Sequence, residues 1–129
     1  MATPVIHLEE IAQIALTVAN LDEARAFYRD TLGMRFLFDA GTLTFLQVGS
    51  VRLMLTTGEG HTGSDRTVLY FRVHDLEAVH EALVGRGVSF EQQPHLVARM
   101  PDHELWMAFL RDPSGNLLGL MEEKPGAAV

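Results

Sequence analysis

Two stretches decide the fold: Val18–Tyr28, "VANLDEARAFY", and Val73–Leu83, "VHDLEAVHEAL", which begins 55 residues further on. Each follows a β-rich run, Ile11–Val18 ("IAQIALTV") in one case and Thr67–Val73 ("TVLYFRV") in the other. Each then opens a helix. Asn20 is a good N-cap with Glu23 three residues on, and Asp75 caps the second helix. Leu21, Ala24, Phe27, Tyr28 and Leu32 recur at helical spacing, as do Leu76, Val79 and Leu83. Gly33 closes the first helix and Gly85 or Gly87 the second. The shared string is weak alone, but its strand–helix setting on both sides marks an internal duplication.

Strands follow each helix. The first half reads as Arg35–Asp39, Leu43–Val48 and Val51–Thr57, turning at 40–42 and 49–50. The second reads as Val88–Gln93, Glu104–Arg111 and Leu117–Glu122, with "PHLVARMPDH" (94–103) as a long loop. Asp112–Asn116 is a tight turn: Pro113 presets φ, Gly115 tolerates a positive φ, and Asp112 bonds the backbone. The fold class is therefore α+β, with two βαβββ modules at about 10–57 and 67–123 and a polar linker, 58–66, in one domain spanning 1–129.

Composition narrows the function. The chain has 129 residues, 47% of them hydrophobic and 21% charged, which suits one soluble globular domain. No apolar run reaches the roughly 20 residues of a membrane span, and "MATPVIHLEE" lacks the pattern of a signal peptide, so the expected setting is cytoplasmic. A formal charge of −7 argues against nucleic acid or an anionic membrane as partner. With no cysteine there is no thiolate nucleophile and no thiolate metal site.

"NLDEARAFYRDTLGM" (20–34) and "DPSGNLLGL" (112–120), joined to the repeat, resemble the vicinal oxygen chelate superfamily. That group includes glyoxalase I, extradiol dioxygenases, fosfomycin-resistance enzymes and bleomycin-binding proteins. The resemblance spans about residues 10–123. It implies eight strands curled into a cup, with helices outside and the ligand on the concave face.

Alternation assigns faces within that cup. Ile14, Leu16 and Val18 suit packing under the helices, leaving Gln13, Ala15 and Thr17 inward. Val51, Leu53 and Leu55 point outward, and Arg52, Met54 and Thr56 inward. Leu69, Phe71 and Val73 pack outward, leaving Val68, Tyr70 and Arg72 inward, while Leu118 and Leu120 leave Gly119 and Met121 inward. The parity of Glu104–Arg111 is not readable, so Trp106 is carried as a candidate for the cup.

Metal-dependent relatives place one His, Gln or Glu ligand on each of four strands. By resemblance those positions here are Gln13, Met54, Val68 and Gly119, and only Gln13 has a donor that a hard or borderline divalent ion would choose. The expectation is that the cup holds no metal and that the protein needs no cofactor. Six histidines remain: His7, His61, His74, His80, His95 and His103. On this reading none occupies an inward strand position, and no HxH or HExxH spacing appears. His95 and His103 flank the 94–103 loop, either as solvent-facing residues or as acid–base groups over the cup mouth.

The inward set then reads as a binding pocket. Met54, Val68, Tyr70 and Met121 supply adaptable apolar walls; Gln13, Thr17, Thr56 and Arg52 supply polar contacts. Arg52 either meets an acidic group of the ligand or snorkels outward to a carboxylate, and Arg72 is expected to do the latter. The leading function is a binder of a small, mostly apolar molecule, acidic or not. The alternative is an enzyme working without metal, a lyase, isomerase or hydrolase in which Tyr70 or a loop histidine moves protons. A homodimer is expected in either case.

Overall fold

A computed structural model describes residues 6, 8–58 and 67–126. His7, His61 and nearly all of the expected linker lie outside the described residues. In chain order the elements are β1 (Gln13–Thr17), α1 (Leu21–Ala26) running on into a π-helical turn (Phe27–Thr31), β2 (Arg35–Ala40), β3 (Leu43–Val48) and β4 (Val51–Thr56). The second module supplies β5 (Leu69–Arg72), α2 (Leu76–Gly85), β6 (Phe90–Arg99), β7 (His103–Arg111) and β8 (Leu117–Pro125). Each module is βαβββ, so the duplication is structural.

The helices start where their caps place them. The Asn20 side chain accepts from the Glu23 amide, and that of Asp75 from the Ala78 amide. The α2 N-terminus gains a second acceptor, because Glu122 reaches the Leu76 amide at 2.9 Å. Gly85 lies inside α2, and Gly87, with φ of 89°, follows it.

The eight strands form two four-stranded mixed sheets, ordered β1-β4-β3-β2 and β5-β8-β7-β6. In each module the first strand pairs parallel with the last, and the remaining pairs are antiparallel. The expected loop at 94–103 is mostly strand: β6 runs to Arg99, and β7 begins at His103. Pro94 and the polar residues around it read as loop, yet β6 is an edge strand, where a missing ladder donor is tolerated. Register shifts between Phe90 and Gln92, Gln92 and His95, and Leu96 and Ala98 absorb the mismatch.

One core joins both modules on the helix side of the sheets. Val18, Leu46, Leu53, Leu55, Leu110 and Leu118 are buried there, with Leu76 and Leu83 from α2. Each fully buried leucine contributes roughly 1.5–3 kcal/mol relative to exposure. Tyr28, from the π-helical turn, is wholly buried and donates to Asp112 Oδ2 at 2.7 Å. Asp112 Oδ1 accepts from the Ser114 and Asn116 amides at 2.9 and 2.8 Å. Asn116 Nδ2 donates across the modules to the Thr17 carbonyl at 3.0 Å, and the Ala19 amide donates to Ser114 Oγ at 2.8 Å. Burial, then the Asp112 carboxylate, push the Tyr28 phenol far above its usual range. The helix motif and the turn motif are thus two halves of one buried clasp.

Candidate functional site

The helix-free faces of the two sheets carry most of the residues singled out by alternation. Register turns them into rows. Across the first sheet run Gln13–Arg52–Gln47–Arg35, then Ala15–Met54–Phe45–Phe38, then Thr17–Thr56–Leu43–Ala40. Across the second run Tyr70–Gly119–Phe109–Gln92 and Arg72–Met121–Met107–His95. Gln13, Thr17, Arg52, Met54, Thr56, Tyr70 and Met121 therefore share this side, as alternation predicts. The face is uncovered: Tyr70 is 47% exposed and Phe38 46%.

Two candidates sit differently. Trp106 pairs with Glu122 and alternates with Met107, so it lies on the helix side, packed against the core. There its indole donates to Glu104 at 3.2 Å, and Lys124 lies 4.3 Å over its ring. It leaves the candidate set, because both faces of β7 are apolar and alternation cannot orient it. Val68 is half-buried and stands just before β5, outside the paired register.

The arginines separate clearly. Arg72 meets Glu123 at 3.2 Å, the outcome expected for it. Arg52 lies 5.7 Å from the Phe45 ring centroid, and no carboxylate among the described residues pairs with it. Phe45 in turn stacks on Phe38, centroids 4.6 Å apart. Sequence reasoning missed Phe38, Phe45, Met107 and Phe109. In β3 the helix side carries the fully buried Thr44 beside Leu46, which disguises the alternation.

Gly119 has a steric reason. A Cβ there would come within 2.5 Å of Tyr70 Cδ1, 2.7 Å of Cε1 and 3.3 Å of Phe109 Cε1. The Tyr70 ring lies over the glycine, edge-on to Phe109 with centroids 5.9 Å apart. A larger side chain at that position would have to displace the Tyr70 ring. At the other three, Gln13 Nε2 donates to Met54 Sδ at 3.8 Å, and Val68 has no donor atom. Among the described residues no three His, Asp or Glu gather as a metal would need. These residues do not fit the divalent ion of metal-dependent relatives.

The histidines were misplaced at one position. His95 pairs with Met107 and faces the helix-free side from within β6, contrary to its assignment to a loop. Its Nδ1 lies 2.7 Å from the Gln93 carbonyl oxygen, and its ring centroid 6.5 Å from that of Phe109. His103 starts β7 and bonds Asp102 at 2.7 Å, which holds the Asp102 carboxyl below the usual range. His80 packs edge-on against Phe90 beneath α2, and His74 is exposed.

A crevice of about 360 Å³ lies elsewhere, at the seam where Phe27 and Thr31 meet Arg86, Phe90 and Arg111. Its guanidinium groups are engaged: Arg86 donates to the Thr31 carbonyl, Arg111 to Glu91 and the Gly115 carbonyl. It reads as part of the joint between modules, so the helix-free face is the better candidate.

The sequence profile of the Glyoxalase/Bleomycin resistance protein/Dioxygenase superfamily matches residues 10–120. A Bacillus subtilis (strain 168) protein called YraH is 26% identical over 127 residues, covering 84% of this chain and 94% of its own. A glyoxalase family protein from Bacillus anthracis superposes with a TM-score of 0.76 at 20% identity, over 94% of this chain and 100% of that one. Lactoylglutathione lyase from Agrobacterium tumefaciens does so at 0.71 and 24%, over 90% and 95%. At such identities the structural likeness speaks for the fold alone. No helix among the described residues is long and apolar enough to cross a membrane.

Proposed function

Because the chain belongs to the glyoxalase/bleomycin resistance protein/dioxygenase superfamily, we propose that its helix-free face binds a small, mostly apolar molecule with an acidic group, without metal. The observation that carries this reading is Arg52. It lies over Phe45 with no carboxylate partner among the described residues, beside the apolar surface of Met54 and Phe38. A cation so placed suits a carboxylate or phosphate, and the ring beneath it suits a flat apolar body. Tyr70, Phe109 and Met121 extend that surface in the second module, with methionine adapting to irregular shapes. Gln13, Thr17 and Thr56 complete the polar contacts.

The test is a screen of small aromatic and aliphatic acids by thermal shift, since a binder raises apparent stability by mass action. Arg52→Met keeps the apolar stem and is expected to weaken acid binding about ten- to a hundredfold, the worth of a charge-assisted hydrogen bond. Arg72→Met is expected to change little, because Arg72 is already paired with Glu123. Equal shifts in the wild type and Arg52→Met would sink the assignment. The same reading includes a homodimer, in which a second copy covers the exposed Tyr70 and Phe38. Light scattering at tens of micromolar that returned a monomer mass would remove that part.

A further inference from the structure

His95 occupies an unusual place on the helix-free face. It belongs to the row His95–Met107–Met121–Arg72, and its half-buried ring stands beside that of Phe109. Its Nδ1 is 2.7 Å from the Gln93 carbonyl oxygen. A carbonyl oxygen only accepts, so Nδ1 carries the hydrogen and the neutral ring holds its lone pair on Nε2. Met107 and Phe109 have no hydrogen to give it, and no described residue donates to Nε2. Carboxylates on the same sheet are engaged elsewhere, Glu123 by Arg72 and Glu91 by Arg111. The geometry thus fixes the tautomer of the uncharged ring, with its acceptor on an apolar, aromatic surface.

We infer that Nε2 of His95 selects the ligand of this face, favouring a planar ring that bears an O–H or N–H donor. This rests on the helix-free face being a binding surface. Phe109 and Met107 supply contact for the ring, and a donor-bearing ligand satisfies the acceptor that an apolar analogue leaves bare. An acceptor desolvated without a partner carries a penalty, so selectivity arises against ligands that lack the donor.

Three probes separate the parts: 2-naphthol, 2-methoxynaphthalene, which lacks only the donor, and 2-naphthoate, an acid for Arg52. Binding is measured by thermal shift and calorimetry in one mildly alkaline buffer for all proteins and probes. The wild type is expected to prefer 2-naphthol over its methyl ether by roughly three- to tenfold. His95→Phe keeps an aromatic ring and is expected to abolish that preference. His95→Gln, which offers an amide oxygen at similar reach, is expected to keep part of it. Proton–nitrogen correlation NMR of the unmutated protein gives a readout independent of folding. It should show His95 as the Nδ1–H tautomer, with Nε2 shifting on addition of 2-naphthol and not of its ether. A preference that survives in His95→Phe, or is absent from the wild type, overturns the inference. If 2-naphthoate still binds in an Arg52-dependent way, the binding reading stands without it. If none of the three probes binds, both fall.

Discussion

The two modules lay their strands in the same order but fill one equivalent row in opposite ways. In the first, Ala15 on the edge strand is small and Met54 beside it is long. In the second, Tyr70 on the edge strand is large and Gly119 beside it has no side chain. At this row the duplication keeps the backbone and roughly the bulk shared by the strand pair, while the chemistry of the side chains changes. The four positions that the family resemblance gives to metal ligands are uneven as well. The first module retains Gln13, while Val68 and Gly119 leave the second with none. The connections differ too: β3 and β4 turn through Gly49 and Ser50, whereas β7 and β8 turn through Asp112–Asn116, which carries the clasp.

That last difference predicts the largest effect. Asp112→Ala removes the acceptor for the Tyr28 hydroxyl, the Ser114 and Asn116 amides and Asn116 Nδ2. With the buried Tyr28 hydroxyl and the Asn116 backbone amide deprived of this acceptor, the expected loss is roughly 3 kcal/mol or more by chemical denaturation. Tyr28→Phe deletes one bond and leaves Asp112 its other donors, so about 1–2 kcal/mol is expected. Ser50→Ala, in the corresponding turn of the first module, should stay within about 0.5 kcal/mol. Trp106 is the only tryptophan and lies in the second module, so its fluorescence reports that module while circular dichroism reports both. The two transitions should coincide in the wild type and separate in Asp112→Ala. A loss below 1 kcal/mol in that variant would show that the clasp does not join the modules.

The Tyr70–Gly119 exchange comes next. Gly119→Ala places a methyl within 2.5 Å of the Tyr70 ring, which is 47% exposed and has room to swing aside. The expected cost is about 1 kcal/mol, the lower end for overpacking. In the Tyr70→Ala background the same change should cost less, and the double-mutant cycle isolates the steric coupling. Met54→Ala in the first module has no such partner, so its cost should be independent of Ala15→Gly. Additivity of Gly119→Ala with Tyr70→Ala would break the comparison.

Most of the fold was legible because it rests on local signals. Asn20 and Asp75 marked the helix starts, and the alternation in β1, β4, β5 and β8 gave the right faces, since each buries one apolar side. The signal failed where both faces are apolar, which left Trp106 unoriented in β7. It also failed where a buried Thr44 hid the parity of β3. His95 was lost because Pro94 beside it reads as a loop, although an edge strand with shifted register accommodates proline. The Tyr28–Asp112 bond spans 84 residues of chain, and no local pattern announces a contact so distant.

A smaller effect separates the modules by pH. In the first module Asp39 accepts from Thr44 Oγ1 at 2.7 Å and from Arg25 at 3.1 Å, tying β2 to β3 and α1. The Thr44 hydrogen bond, then the Arg25 pair, hold its carboxyl below the usual range. A depressed folded pKa contributes stability above the unfolded value, and that contribution is lost as pH falls through the folded one. Asp39→Asn should therefore be slightly less stable than the wild type at neutral pH. The difference should shrink progressively as pH falls below about 4. Exposure makes the effect modest and salt-sensitive. A stability difference that persists unchanged at low pH would assign it to packing instead.

The smallest expected effect concerns the metal, where restoring one ligand should achieve nothing. Met54→Glu puts a carboxylate beside Gln13 in the first module, the one module that still has a donor. Two positions in the second module remain empty of donors, Val68 and Gly119, and the Tyr70 ring covers the latter. A tetrahedral or octahedral ion held by only two protein ligands keeps most of its water and binds weakly. The new carboxylate also has a competitor close by. Arg52 lies two residues away on the same strand face, free of any carboxylate among the described residues, and an ion pair with it needs no desolvated metal. Elemental analysis after dialysis should find no retained zinc, nickel, iron or manganese in the variant or in the wild type. Thermal shifts with added zinc should match between them. Near one equivalent of metal in the wild type, lost on Gln13→Ala, would mean that the first module recruits ligands from outside these four positions, and the contrast between the modules would have to be redrawn around them.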